Sequence, residues 1–188
     1  MENIRKICIK IPILGPPKSG KTSIANYLAD SEDVNANREY RPTQGVRIVE
    51  FESNQLELEG EHVNAEVELW DCSGDTRYES CWPAIRYRSN GAIFVCNPEI
   101  HTGSDLLIWY TEFAIKTGIS PRNLLVLLHR QSTERIHGEA EIADFRLPAD
   151  MADVPIVPSN IERDGEELRL EFNNFLCQII ASVKESSY

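Results

Sequence analysis

The sequence predicts an α/β fold: a central, mostly parallel sheet of about six strands with about five helices on its two faces. Three observations predict it. Short apolar runs alternate along the chain with stretches of helical periodicity. A glycine-rich turn, "GPPKSGKT", joins the first apolar run to the first helical stretch, and two runs joined through the Gly60 region read as a hairpin that adds one antiparallel member.

Ile7, Ile9, Ile11 and Ile13, with Cys8, Pro12 and Leu14 between them, read as a buried strand, while Ile24, Tyr27 and Leu28 recur at helical spacing after Thr22. Strand, turn and helix start therefore follow one another. A helix start leaves backbone amides unpaired, and those amides can cradle phosphate. In such a phosphate-binding loop (P-loop) Lys21 would reach the outer phosphates and the Thr22 hydroxyl would ligate magnesium. Pro16 and Pro17 have no amide hydrogen, which leaves the later amides of Lys18, Gly20, Lys21 and Thr22 as donors. A plain structural turn is the competing reading of this run.

"SEDVNANREYRPTQG" lacks periodicity and is expected as an exposed loop; "VRIVEFES" and "HVNAEVELW" form the hairpin. "DCSGDTRYESCWPAIRYRSNG" is a loop leading into a short helix whose regularity Pro83 limits, and "GAIFVCN" is the next buried strand. Leu106, Leu107, Tyr110, Phe113 and Ala114 fit one face of the following helix, which ends at Gly118. "NLLVLLH" is a further interior strand, the polar stretch from Gln131 to Asp153 holds at most a short helix, and "VPIV" is a short strand. In the last helix Asp164 and Glu167 have capping-box spacing, and Leu168, Phe172, Phe175, Leu176, Ile179 and Val183 make an apolar stripe that covers the sheet. No internal repeat interrupts residues 1–188, which read as a single domain with a flexible final tail.

Composition narrows the function classes. Lys and Arg total 19 against 30 Asp and Glu, a formal charge of -11, which disfavours broad binding to nucleic acid or anionic membrane. Cys8, Cys72, Cys81, Cys96 and Cys177 form no CxxC pair, and His62, His101, His129 and His137 lack a metal-binding spacing. No secretory leader and no apolar run of transmembrane length are evident, so reduced cysteines in an intracellular setting are the simplest expectation. Cys177 is followed by "QIIASVKESSY" instead of a prenylation box and position 2 is not glycine, so no direct lipid anchor is expected.

A second constellation completes a nucleoside triphosphate site. Asp71 ends "VELWD", where a strand would deliver a carboxylate beside a magnesium ion held by Thr22. Gly74, three residues on, can bring its amide to a terminal phosphate, and Thr43 in "RPTQG" can add an oxygen ligand from a mobile loop.

With these residues in order, the chain resembles a Ras-superfamily small GTPase of the Rab-like type. "GPPKSGKT" matches the phosphate loop, Thr43 the switch I threonine, "WDCSG" the start of switch II, and "SCWPAIRYRSNGAIFVCN" the helix and strand that follow. "LGPPKSGKTSIANYLAD", "YRPTQGVRIVEF" and "WDCSGD" are more narrowly similar to the Rab-like GTPase subunits of the intraflagellar transport B complex. The resemblance implies a P-loop NTPase fold of small GTPase type, bound GTP or GDP and Mg2+. It implies a coiled-coil heterodimer of transport proteins as partner, and a place in the cilium or flagellum and the cytoplasm. It assigns Gly15, Lys18, Ser19, Gly20, Lys21, Thr22, Ser23, Thr43 and Gly74 to the phosphates, Thr22, Thr43 and Asp71 to the metal, and Lys21, Thr43, Gly74 and Asp75 to hydrolysis.

Two departures qualify it. Asp75 stands where an efficient member has glutamine; an ionised carboxylate there adds charge beside the phosphate instead of orienting water, so hydrolysis is expected to be slow. Where the family has Asn-Lys-x-Asp, this chain has His129, Arg130, Gln131 and Ser132. Loss of the carboxylate at Ser132 removes a charge-assisted acceptor worth roughly 1.5 to 3 kcal/mol, or about one to two decades of guanine selectivity. Arg130 can still lay its stem along the base, and Ser159 in "VPSN" can approximate the remaining base-side loop.

Three functions stay open on this reading: a GTP-binding switch or assembly subunit, a partner-activated GTP hydrolase, and a P-loop kinase of a small molecule. The switch pattern of Thr43 and "WDCSG" argues against the kinase. The expected partner face joins Val46, Ile48 and Trp70 on the hairpin to Tyr78 and Trp82 beyond it.

Overall fold

The structure, a computed structural model, describes residues 7–31, 41–130 and 144–185. Its strands are β1 (Ile7–Leu14), β2 (Val46–Leu58), β3 (Glu61–Cys72), β4 (Ala92–Cys96), β5 (Leu124–His129) and β6 (Ile156–Ser159). They form one six-stranded sheet in the order β2-β3-β1-β4-β5-β6. Only β2 with β3 is antiparallel; β1 with β3 and β4, β4 with β5, and β5 with β6 are parallel. This is the expected sheet, with the hairpin at one edge.

The strand sequences explain their places. Every residue of β4 and β5 is buried, as interior parallel strands with helices on both faces require. In β3 the alternation is clear: Ala65, Val67, Leu69 and Asp71 are buried while Glu66 faces outward. One face of the sheet packs Ile9, Ile11, Val67 and Leu69 against Ile24 and Leu28 of helix α1 (Lys21–Leu28) and Leu168, Phe172, Leu176 and Ile179 of the C-terminal helix, Ile161–Glu185. The other packs Phe94, Val126 and Leu14 against Ile85 of α2 (Trp82–Arg86), Trp109 of α3 (Leu107–Tyr110), and Phe113.

Three expectations need correction. The C-terminal helix starts before the Asp164 and Glu167 pair: Asn160 Oδ1 accepts from the amides of Glu162 at 3.0 Å and Arg163 at 3.1 Å, which satisfies orphan donors of the first turn. Asp164 lies within the helix at non-helical angles, φ -127 and ψ 32, and its carboxylate takes the Arg163 guanidinium instead. The "VPIV" strand is shifted two residues along, to Ile156–Ser159, because Val154 turns into the core below Met151. Trp82 does not lie on an exposed face: its ring centre is 5.2 Å from that of Trp109, the rings tilted by 58°, and the residue is buried. Pro83 sits in the first turn of α2, where a missing amide hydrogen costs nothing.

Two long cations hold the neighbours of the glycine-rich turn in place. Lys10 Nζ donates to the Ala84 and Tyr87 carbonyls at 2.9 Å each and lies 3.6 Å from the Trp70 ring centre, tying the end of α2 to the hairpin. Arg169 donates to the Tyr27 carbonyl at 3.1 Å and to Asp30 at 2.7 Å, closing the end of α1 from the C-terminal helix. Of the polar stretch after β5, the part at 131–143 lies outside the described residues; beyond it Asp144 is helical and a short turn follows at Ala149–Met151. No helix among the described residues is long and apolar enough to cross a membrane.

Candidate functional site: the glycine-rich turn and its carboxylate

The turn leaves β1 and enters α1 at Lys21, as the sequence predicts. Lys18 has φ 61 and Gly20 φ 97, so the chain curls through the left-handed region before the helix begins. A side chain at Gly20 would be blocked as well as strained, since its Cβ would meet His129 Cδ2 at 2.3 Å. Ser19 and Lys21 are buried, whereas Lys18 is exposed and Thr22 and Ser23 are half-buried. Lys21 Nζ donates to the Gly15 carbonyl at 2.9 Å, the Pro16 carbonyl at 2.7 Å and Ser19 Oγ at 3.3 Å. Burial lowers its pKa from 10.5 to about 8, against the pull of Asp71. A buried ammonium held across a loop of helix-directed amides is chemistry suited to a phosphate anion.

Asp71, at the end of β3, is fully buried. Its Oδ2 accepts from Thr22 Oγ1 at 2.9 Å and Thr43 Oγ1 at 3.5 Å, and the two hydroxyl oxygens lie 3.0 Å apart. The three residues assigned to the metal are thus gathered at one point. Among the described residues Asp71 Oδ1 is buried with no hydrogen-bond partner. Burial raises the pKa of this carboxyl, while the Thr22 hydroxyl, Arg47 and Lys21 oppose the rise. A buried carboxylate oxygen without a partner is expensive unless a cation completes it. Two hydroxyls and a carboxylate are hard oxygen donors of the kind magnesium takes together with phosphate oxygens, so these residues fit the ion.

Gly74 presses against the loop: a Cβ there would stand 2.4 Å from Pro17 N and 2.6 Å from the Pro16 carbonyl carbon. Asp75 is turned away into its own segment. Its carboxylate accepts from the Arg77 amide at 2.9 Å and Nε at 2.8 Å, with Nη2 at 2.6 Å, and so caps the short turn Thr76–Cys81. The hydrogen bonds from Arg77 hold the Asp75 carboxyl below its usual pKa.

On the base side, Ser159 closes β6 and is buried; its Oγ lies 3.1 Å from His129 Nδ1, and its carbonyl accepts the Arg130 amide at 3.0 Å. Arg130 is half-buried beside them. Gln131 and Ser132 lie outside the described residues. Of the expected partner face, Ile48 is exposed, Trp70 and Tyr78 are half-buried, and Val46 packs partly against the core; Trp82 drops out.

Sequence reasoning missed the contacts of two residues. His129 is a buried wedge between Gly20 and Ser159, its pKa lowered from 6.5 to about 4 by burial, and nothing in "LLVLLH" foretold that contact. Arg47 was passed over inside a strand, yet its alternation with Val49 and Phe51 places a cation on an inward row, which was a readable signal.

Comparison with known proteins agrees with this geometry. A model of the family described as "Ras of Complex, Roc, domain of DAPkinase" matches residues 10–131. The chain is 38% identical over 183 residues to the "Intraflagellar transport protein 22 homolog" of Danio rerio, covering 95% of this chain and 93% of that one. Among solved structures it is similar to the GDP-bound IFT22 of T. brucei, at 28% identity and TM-score 0.70 over 93% of this chain and 97% of the other. It is also similar to a chain of the GTP-bound T. brucei IFT22/74/81 crystal structure, at 29% identity and TM-score 0.73 over 95% and 98%.

Proposed function

The chain belongs to the intraflagellar transport protein 22 family of Ras-like GTPases, and from that premise we propose that it is a GTP- and GDP-binding assembly subunit of the intraflagellar transport B complex. One observation carries the nucleotide reading: Thr22, Thr43 and Asp71 meet at a buried carboxylate whose second oxygen has no partner among the described residues. Residues 1–188 act as one such domain, working in the cytoplasm and the cilium or flagellum.

In this reading Gly15, Lys18, Ser19, Gly20, Lys21, Thr22 and Ser23 surround the phosphates, and Lys21 exchanges its loop carbonyls for phosphate oxygens. Thr22, Thr43 and Asp71 hold magnesium, which neutralises phosphate charge. Thr43 and Gly74 sense the terminal phosphate from two loops, so a triphosphate orders both together. Arg130 and Ser159 flank the base. The partner is a coiled-coil heterodimer of the same complex, as the IFT22/74/81 assembly of T. brucei suggests, and it docks on the face of Ile48, Trp70 and Tyr78.

Hydrolysis is slow. Asp75 is engaged by Arg77, and neither its charge nor its placement suits it to orient an attacking water. Slow turnover makes the triphosphate state a durable assembly contact. Mass analysis of the ligand retained after gentle purification tests the reading: guanine nucleotide is expected, and a different retained cofactor would overturn it. Competition among the four nucleoside triphosphates tests the base site, with GTP ahead of ATP by less than the roughly thousand-fold margin an intact carboxylate contact would help to sustain.

A further inference from the structure

Arg47 stands directly opposite Asp71 in the β2–β3 register, on the inward row shared with Val49 and Phe51. Its Nη2 donates to Asn26 Oδ1 at 2.6 Å and lies 3.5 Å from Asp71 Oδ2. Asn26 belongs to α1 and is itself buried, so the guanidinium is anchored between the helix that carries Thr22 and the strand that carries Asp71. The oxygen it approaches is the one already taken by Thr22 and Thr43; the other, Oδ1, has no partner among the described residues. Lys21, the other cation acting on Asp71, is occupied by the loop carbonyls. A positive charge therefore sits against the carboxylate at the oxygen that Thr22 and Thr43 share.

We propose that Arg47 is a built-in counter-cation of Asp71 that makes nucleotide binding less dependent on magnesium. This rests on the nucleotide and magnesium reading of the site given above. Without metal, an ionised Asp71 faces the phosphates and repels them, and Arg47 offsets that repulsion at short range. Were a dication held by Asp71, the same arginine would add a like charge beside its ligand and weaken its hold. Both effects act in one direction: Arg47 narrows the difference between nucleotide affinity with and without magnesium. A merely structural role gives the opposite sign, since losing a residue that shapes the metal cluster impairs binding most when magnesium is present.

The test is calorimetry or fluorescence titration of GDP into nucleotide-free full-length protein, in millimolar magnesium and in chelator, for wild type, Arg47→Met, Arg47→Gln and Arg47→Lys. The ratio of the two affinities is read for each. Because the Arg47 side chain is 44% exposed, screening limits the effect, and the ratio is expected to rise about tenfold in the two neutral variants. Arg47→Lys, which keeps the charge, should stay near wild type. Melting curves confirm that each variant is folded, and either neutral variant alone suffices. An unchanged or smaller ratio in the neutral variants overturns the proposal while leaving the site reading intact. No magnesium dependence in wild type and in both neutral variants removes the metal site, and this proposal with it.

Discussion

The hydroxyl oxygens of Thr22 and Thr43 lie 3.0 Å apart, though the residues are 21 positions apart in the chain. One belongs to the helix behind the glycine-rich turn and the other to the loop before β2, so whatever binds between them couples the loop to the turn. Replacing Thr43 by Ala should abolish the preference of the partner heterodimer for protein loaded with a non-hydrolysable GTP analogue over GDP-loaded protein. Calorimetry on matched, fully loaded samples checks it. Equal affinities for both nucleotide states in wild type would make the subunit constitutive, because a partner without differential affinity shifts no population.

Lys21 predicts a dependence on pH. Its folded, unliganded pKa is about 8 against an ordinary 10.5, so between these values the unfolded chain holds more protons and stability rises with pH. Below about 8 the cost of burying the charge is fully present, at most about 3 kcal/mol. Lys21→Met should therefore raise the melting temperature of nucleotide-free protein near neutral pH while nucleotide binding is lost. A bound phosphate restores the charged form, so wild-type affinity should fall as pH climbs beyond about 8, by up to tenfold per unit. A melting temperature lowered by Lys21→Met would contradict this.

His129 titrates with the same sign in a lower window. Buried neutral, it has a folded pKa of about 4 against an ordinary 6.5, so its contribution is constant above 6.5 and stability is lost as pH falls from there towards 4. The loss approaches about 3 kcal/mol at the acid end, and His129→Asn should remove most of it. Urea midpoints for the two proteins at about pH 5 and about pH 7.5 decide the matter; parallel acid losses would place the sensitivity elsewhere.

Gly74→Ala puts a methyl group 2.4 Å from Pro17 N, and because every atom it meets is backbone of the facing loop there is little room to relax. The substitution should displace the segment from Gly74 to Cys81 from the loop, weakening triphosphate binding more than diphosphate binding. Matched titrations of the two nucleotides would reveal it, and an equal loss for both would mean that Gly74 matters only for folding.

Asp75→Gln should raise steady-state phosphate release, because it removes a charge and frees Arg77. It also loses a carboxylate cap of the turn Thr76–Cys81, so the gain should stop well short of a partner-stimulated rate. Rapid release by the wild-type protein would refute slow turnover outright.

The fold was legible because its signals are local. "KICIKIPIL", "GAIFVCN" and "NLLVLLH" announce buried parallel strands by apolar run, and the order of turn, Thr43 and Asp71 foretells that Thr22, Thr43 and Asp71 meet. What escaped depends on reach across the sheet. Asp164 and Glu167 have the right spacing for a capping box, yet Asn160 is the residue whose side chain meets the first-turn amides. Trp82 reads as part of the partner face until Trp109 and Phe113 enclose it. Arg47 and Asn26 are 21 positions apart, and no periodicity joins a strand cation to a helix amide.

The C-terminal helix meets α1 across 142 residues at the Arg169 contact with Tyr27, and it supplies Leu168, Phe172, Phe175, Leu176, Ile179 and Ile180 to the core that Ile9, Ile11 and Ile24 begin. During synthesis the glycine-rich turn leaves the ribosome well before the C-terminal helix, so β1 and α1 lack that helix's share of their cover until it follows. Apolar surface left open on a nascent chain is prone to wrong contacts, and here it stays open until the last helix arrives. Premature termination within the last helix would produce a chain with all its nucleotide-binding residues in sequence but without the apolar side chains that cover one face of their sheet.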